Sequence, residues 1–325
     1  MSELVVRYCA NYGLSPRLVT EEQVRAHLHL ERRLTAELVA SRPADRWQTF
    51  ERCYGELYRE LPWLNDADPS RPLDDWPALL GAPPRRIYEV GSGQGGLARA
   101  LVSAGYEVEA TEVTRERGGG REERPGLTWS ITDGVHLERF AGRAPYDAVI
   151  SDQVVEHLHP DDLGRHLRGA LAILAPGASY VLRTPHAHLG PADISGVFGF
   201  DRPVGMHLRE YTYGEMADAA HRAGFARVAA PLGLPQRLRR RVALPRLPGA
   251  RPSGAYLRWL EAVEHLLTPL RPRHRRLALD RVLRAPLFRR DLWIVAIAPG
   301  GGDRSGARVG HAPGSRVEQE EGSSC

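Results

Sequence analysis

The chain has 325 residues, 42% of them hydrophobic and 26% charged, with a formal net charge of +4 and a pI near 9.1. That length can bury a core without cross-links, and three cysteines without paired spacing (Cys9, Cys53 and Cys325) argue against a disulfide scaffold or a zinc module. The most apolar run, Leu171 to Leu182, is too short to span a bilayer and the N-terminus lacks a signal-peptide core, so the expectation is a cytoplasmic protein.

Residues 1–80 read as a separate helical region. Thr20-Glu21-Glu22-Gln23 has the spacing of a capping box, and Val24, Leu28, Leu34 and Leu38 then mark one helical face. A second helix is expected near Arg46–Leu61, with Phe50, Tyr54, Leu57, Tyr58 and Leu61 at spacings of three and four. With Trp47 and Trp63 this stripe serves either as ordinary core or as a lid over an apolar substrate. Prolines 62, 69, 72 and 77 break the pattern, and Pro83-Pro84 marks a linker.

From Arg86 strands and helices alternate. Strands are expected at Arg86–Val90, Glu107–Val113, Thr128–Thr132, Ala148–Ser151, Ser179–Arg183 and Ala226–Ala230, with helices at Leu97–Ala104, Asp161–Leu174 and Glu215–Ala223. Such alternation predicts an α/β fold, a doubly wound and mostly parallel sheet with helices on both faces. Residues 233–291 form an arginine-rich insertion read as helical, and Leu292–Ala298 reads as a last buried strand. Residues 300–325, rich in glycine, serine and charge, are expected to be a disordered tail. The implied organisation is an N-terminal helical region over 1–80, a core over 81–232 and 292–299, the insertion, and the tail.

The chemistry concentrates where the first strand ends, in Glu89-Val90-Gly91-Ser92-Gly93-Gln94-Gly95-Gly96. Glycines there let the backbone turn tightly and approach a ligand, with helix N–H groups directed at it. Taken alone, Gly91, Gly93 and Gly96 also satisfy a dinucleotide-binding pattern. Further pieces follow in order: Glu112 at the end of the second strand, Asp133-Gly134 after the third, Tyr146 to Asp152 along the fourth with Val154-Val155-Glu156-His157-Leu158 beyond it, and Leu174-Ala175-Pro176-Gly177-Ala178 before the fifth.

Together these pieces resemble the class I S-adenosylmethionine-dependent methyltransferases, over roughly residues 85–232 and the last strand. The resemblance implies a seven-stranded sheet with an antiparallel last strand, to which this chain adds an N-terminal helical cap and a basic helical insertion before that strand. It implies S-adenosyl-L-methionine as cofactor, held by Glu89, Gly91, Ser92, Gly93, Gly95, Glu112, Asp133, Gly134, Asp152 and Gln153. In it Glu112 accepts from the ribose hydroxyls and Asp133 from the adenine amino group. The sequence departs from the family after Glu112, where Gly118-Gly119-Gly120 leaves the second helix short or loose.

Methyl transfer from a sulfonium needs alignment, exclusion of water, and removal of a proton from a hydroxyl or amine acceptor. Five histidines, His157, His159, His186, His188 and His207, fall at the expected active edge. One of His157, His186 or His207 is expected to be the base, while Tyr211 either orients an acceptor or packs. His157, His159, Asp161 and Asp162 resemble a metal cluster, but Pro160-Asp161-Asp162 is also a natural helix start, so no metal is expected.

Arginines crowd at 237, 239–241, 273, 275–276 and 289–290, giving either a solvated surface or a dock for an acidic protein partner. No nucleic-acid-binding fingerprint accompanies them. The leading reading is O- or N-methylation of a small-molecule acceptor in specialised metabolism. The alternatives are cyclisation or elimination on a carrier-bound intermediate docked through the insertion, and a partner protein that keeps the fold without turnover.

Overall fold

Local signals set the first helices. A computed structural model describes residues 2–65, 73, 75–117, 124–232, 250–283 and 291–301. The arginines at 237–241 and 289–290, the run Gly118-Gly119-Gly120 and the tail from 302 onward lie outside the described residues. Helices α1 (Glu3–Tyr12), α2 (Glu21–Ala40), α3 (Arg46–Glu60) and α4 (Trp76–Leu80) come first. The capping box forms as read: Thr20 Oγ1 accepts from Gln23 N at 3.2 Å, and Gln23 Oε1 accepts from Thr20 N at 2.8 Å.

The sheet contains β1 (Arg86–Val90), β2 (Glu107–Glu112), β3 (Leu127–Ile131), β4 (Tyr146–Asp152), β5 (Leu174–Pro185), β6 (Arg227–Leu232), β7 (Arg251–Ser253) and β8 (Asp291–Ile297). Their order is β3-β2-β1-β4-β5-β8-β6-β7. The first five strands run parallel, and β8 lies antiparallel to both β5 and β6. The sheet has eight strands where seven were expected. The added one, β7, falls inside the segment read as helical and pairs with Ala230–Leu232 on the outer edge of β6.

Period-two alternation explains why both faces are buried. Ile87, Ala148, Ile150 and Val181 enter one core cluster, whereas Tyr88, Val149, Tyr180 and Leu182 enter the other. Helices α5 (Gly96–Ser103), α6 (Leu137–Phe140), α7 (Leu163–Ile173) and α9 (Tyr213–Ala223) supply the facing side chains, and α8 (Ile194–Val197) lies in the loop after β5. Between β2 and β3 the described residues hold no helix.

Two satellite clusters seat the N-terminal helices on the loop that follows β5. Val5, Tyr8, Val24 and Leu28 pack with Ile194 and Val197, while Leu34, Leu38, Tyr54 and Leu57 pack with Met206. These helices therefore lie over the carboxyl edge of the sheet. The described part of the insertion consists of β7, α10 (Gly254–Leu267) and α11 (Pro272–Leu283), and α10 packs on β6 and α9. No helix among the described residues is long and apolar enough to cross a membrane.

Candidate active site

In an open α/β sheet, the crevice forms where neighbouring strands send their connections in opposite directions. Here that point lies between β1 and β4, and a cavity of about 420 Å³ opens beyond their carboxyl ends. Its floor is the turn after β1. Gly91 takes φ +64°, in the left-handed region, and a Cβ there would come within 2.6 Å of Val154 Cγ2. Only glycine holds this turn against the chain leaving β4.

Glu112 ties that turn to the end of β2. Its Oε1 accepts from Gly93 N at 2.6 Å and its Oε2 from Val113 N at 3.0 Å, and each oxygen has a second lone pair. Asp133 is held similarly: Oδ1 accepts from Val135 N and His136 N at 2.8 and 2.7 Å, and Oδ2 faces His136 Nδ1 at 2.7 Å. Asp152 forms a two-point pair with Arg183, Nε to Oδ1 at 2.6 Å and Nη2 to Oδ2 at 2.5 Å.

Nine of the ten residues assigned to the cofactor line this cavity: Glu89, Gly91, Ser92, Gly93, Glu112, Asp133, Gly134, Asp152 and Gln153. Gly95 does not. It caps α5 beneath the ring of Trp129, so its position serves the packing of the turn.

The other end of the cavity is walled by the N-terminal helices and the loop after β5. Tyr12, Glu31, Phe50, Tyr54 and Tyr58 line it together with His157, Asp193, Met206 and His207. The aromatic stripe divides accordingly. Phe50, Tyr54 and Tyr58 line the cavity, whereas Trp47 packs edge-on against Phe140 and Trp63 donates to Tyr8 Oη at 2.9 Å. The Tyr54 hydroxyl is buried without a hydrogen-bond partner among the described residues.

Of the candidate bases, His157 and His207 meet at the cavity wall with ring centroids 4.8 Å apart. Burial, aided by the charge of His207, pushes His157 down to about 3, while its ring Nδ1 lies 3.0 Å from Met206 O. For His207 burial acts downward too, but the bond with Glu210 at 2.9 Å and the charges of Glu156 and Asp193 outweigh it and lift the group to about 9.

His186 and Tyr211 are not brought to the cavity. His186 Nε2 lies 2.7 Å from Glu264 Oε1 on α10, and the same carboxylate accepts from Tyr213 N and Gly214 N at the start of α9. Residue 186 thus fastens the insertion to the core. Tyr211 is buried beneath the Arg209 guanidinium, which sits 5.3 Å from its ring centroid, and it pairs with His186 through an isolated bridge.

Of the cluster weighed around His159, Asp161 stays beside it, with a carboxylate oxygen 3.6 Å from His159 Nδ1. Asp162 pairs with Arg46 at 2.6 Å, and His159 Nε2 lies 3.3 Å from Val39 O, so both secure the N-terminal helices.

Several cavity residues escaped the sequence reading. Glu31 is one whose signal was present: it falls on the same face of α2 as Val24, His27 and Leu38, an acid on an otherwise buried stripe. Its Oε1 lies 2.7 Å from His27 Nε2, and its Oε2 accepts from Met206 N at 3.1 Å. Asp193 accepts from Ser195 N and Gly205 N, both at 3.0 Å, and Arg117 donates to Tyr58 Oη at 2.7 Å. For these two no local pattern announced a place in the site.

The sequence matches the model of a family described as a methyltransferase domain over residues 65–230, slightly more than half of the chain. The chain belongs to that family. No curated protein matches it. Solved structures resemble this chain at low identity. Phosphoethanolamine N-methyltransferase 2 of Haemonchus contortus is 16% identical with a TM-score of 0.39, over 67% of this chain and 50% of that one. A S-adenosylmethionine-dependent methyltransferase of Mesorhizobium loti is 17% identical with a TM-score of 0.40, over 72% and 99%. The 1,6-didemethyltoxoflavin-N1-methyltransferase of Burkholderia thailandensis is 17% identical with a TM-score of 0.43, over 65% and 87%. The chain thus spans half the length of the Haemonchus enzyme. The matched region begins after α3, so Tyr12, Glu31, Phe50, Tyr54 and Tyr58 of the cavity wall lie outside it.

Proposed function

We propose that the methyltransferase transfers a methyl group from S-adenosylmethionine to an oxygen or nitrogen of a small-molecule acceptor. The observation that carries this reading is the continuity of one cavity, from the glycine turn with Glu112 and Asp133 to the aromatic and histidine wall. The cradle suits the cofactor: Gly91 lets the turn close against Val154, and Glu112 and Asp133 offer carboxylate oxygens able to accept from adenosine hydroxyls and an amino group. When bound, S-adenosylmethionine supplies a methyl group already activated by its sulfonium.

The chain's own residues do the rest. Phe50, Tyr54 and Tyr58 cover the acceptor and keep water from it, and the Tyr54 hydroxyl gives it a directional contact. His157 and His207 face the acceptor atom that loses its proton. The N-terminal helices act as the lid of this site. Among the described residues α10 and α11 contribute none to the cavity, so this reading does not include carrier docking through the insertion.

Calorimetry with S-adenosylhomocysteine tests the cofactor assignment, and mass spectrometry of a metabolite extract given enzyme and cofactor tests the reaction. Binding of the nucleoside together with metabolites heavier by one methylene unit is expected. Absence of binding would end this reading.

A further inference from the structure

Glu156, His157 and His207 come from two separate segments, the turn after β4 and the loop after β5. Each offers one ligand atom, and the three atoms lie within 4.8 Å of one another. The histidines are oriented through their second nitrogens. His157 Nδ1 is 3.0 Å from Met206 O and His207 Nδ1 is 2.9 Å from Glu210 Oε1, so in the neutral ring each Nδ1 carries the proton and Nε2 keeps a lone pair. A ring nitrogen donating to a carbonyl or carboxylate while the other stays open is the arrangement that supports metal-ligating histidines. Glu156 is fully buried. Its Oε2 accepts from Thr184 Oγ1 at 2.9 Å, but its Oε1 has no hydrogen-bond partner among the described residues. A buried carboxylate oxygen left without a donor is costly, and a cation relieves that cost.

We propose that Glu156, His157 and His207 bind a divalent first-row transition ion, with an open coordination position toward the acceptor end of the cavity. Two imidazoles and one carboxylate form the donor set of open catalytic sites for such ions, whereas Mg²⁺ and Ca²⁺ favour oxygen ligands throughout. Both histidines line the cavity, so the open position faces it. The ion would bind an acceptor hydroxyl and make it more acidic. The hydroxyl proton leaves to water, the acceptor oxygen gives an electron pair to the methyl carbon, and the carbon–sulfur bond breaks with its pair going to sulfur. This chemistry rests on the methyl-transfer reading, but binding of the ion does not. Glu210 would act as a positioning residue through His207.

The test uses the full chain, stripped by a chelator and titrated with Zn²⁺ in a calorimeter, with S-adenosylhomocysteine titrated separately. Wild type is expected to bind one ion per chain. Glu156→Gln and His207→Ala should weaken binding at least about a hundredfold, and Glu210→Ala about ten- to a hundredfold. His159→Ala should bind as wild type does. Equal uptake by wild type and both ligand variants would mean scattered histidines, thirteen in all, and would overturn the site. No uptake by wild type would leave only the electrostatic attraction between Glu156 and His207 and overturn the site as well. Because ligand variants can unfold, Co²⁺-loaded wild type gives a second readout. Ligand-field bands of nitrogen coordination support the site, and the spectrum of hydrated Co²⁺ alone refutes it. Zinc uptake without nucleoside binding would sink the cofactor reading and spare this one.

Discussion

Replacing Gly91 with alanine separates two costs that the structure assigns to one atom. The residue sits at φ +64°, where an L side chain costs about 1–2 kcal/mol. Its new Cβ would also stand 2.6 Å from Val154 Cγ2, an overpacking that costs about 1–3 kcal/mol when neighbours must shift. The expected loss is therefore about 2–5 kcal/mol, read from urea unfolding. Gly13→Ala calibrates the first part alone, since φ there is +68° and a Cβ would meet nothing within 4 Å. Its loss should be about 1–2 kcal/mol. Adding Val154→Ala to Gly91→Ala should recover the packing part but not the backbone part, a coupling that a double-mutant cycle measures. Because Gly91 lines the cavity, any relief by moving the turn should also weaken S-adenosylhomocysteine about tenfold or more, tenfold corresponding to about 1.4 kcal/mol. Gly91→Ala as stable as Gly13→Ala, or a double variant with no recovery, would refute the close-approach argument.

Glu112→Gln keeps the shape of the side chain but not its charge, on which the bond from Gly93 N depends. Calorimetry should show nucleoside binding weakened about ten- to a hundredfold, from the roughly 1.5–3 kcal/mol of a charged hydrogen bond; unchanged affinity would contradict the assignment. Tyr54→Phe removes a buried hydroxyl without a partner, so stability should hold or rise slightly while methyl transfer to the true acceptor slows several-fold at unchanged nucleoside affinity. Equal turnover would place that hydroxyl outside acceptor binding. Burial holds His166 neutral, down to about 4, between Gly134 O at 2.6 Å and Tyr180 Oη at 2.7 Å. The unfolded chain protonates it near pH 6.5, so its contribution is complete above that pH and falls by about 1.4 kcal/mol per unit down to pH 4, about 3 kcal/mol in all. Denaturant titrations should give a shallower slope for His166→Gln over that range, and parallel slopes would show another group to be responsible.

The elements whose cause is local were legible in the sequence. Thr20 and Gln23 close a capping box within one turn, and the glycine turn after β1 follows from a strand, a tight reversal and a helix adjacent in the chain. The strands of a sheet buried on both faces announce themselves by continuous apolar runs, and the acid ending β2 lies one unit further on. Other outcomes depended on contacts between distant segments, which no local pattern encodes. His186, His157 and His207 are alike as residues beside an active edge. Glu264, 78 positions away, takes the first into the packing of the insertion, while Met206 and Glu210 turn the other two into the cavity. The same holds for the aromatic stripe of α3, whose split between core and cavity was decided by where α2 and the loop after β5 came to rest. Hydrophobic burial is blind to direction, so the sequence by itself determined the sheet and its cofactor turn. Only tertiary packing decided which polar groups would be left facing one another.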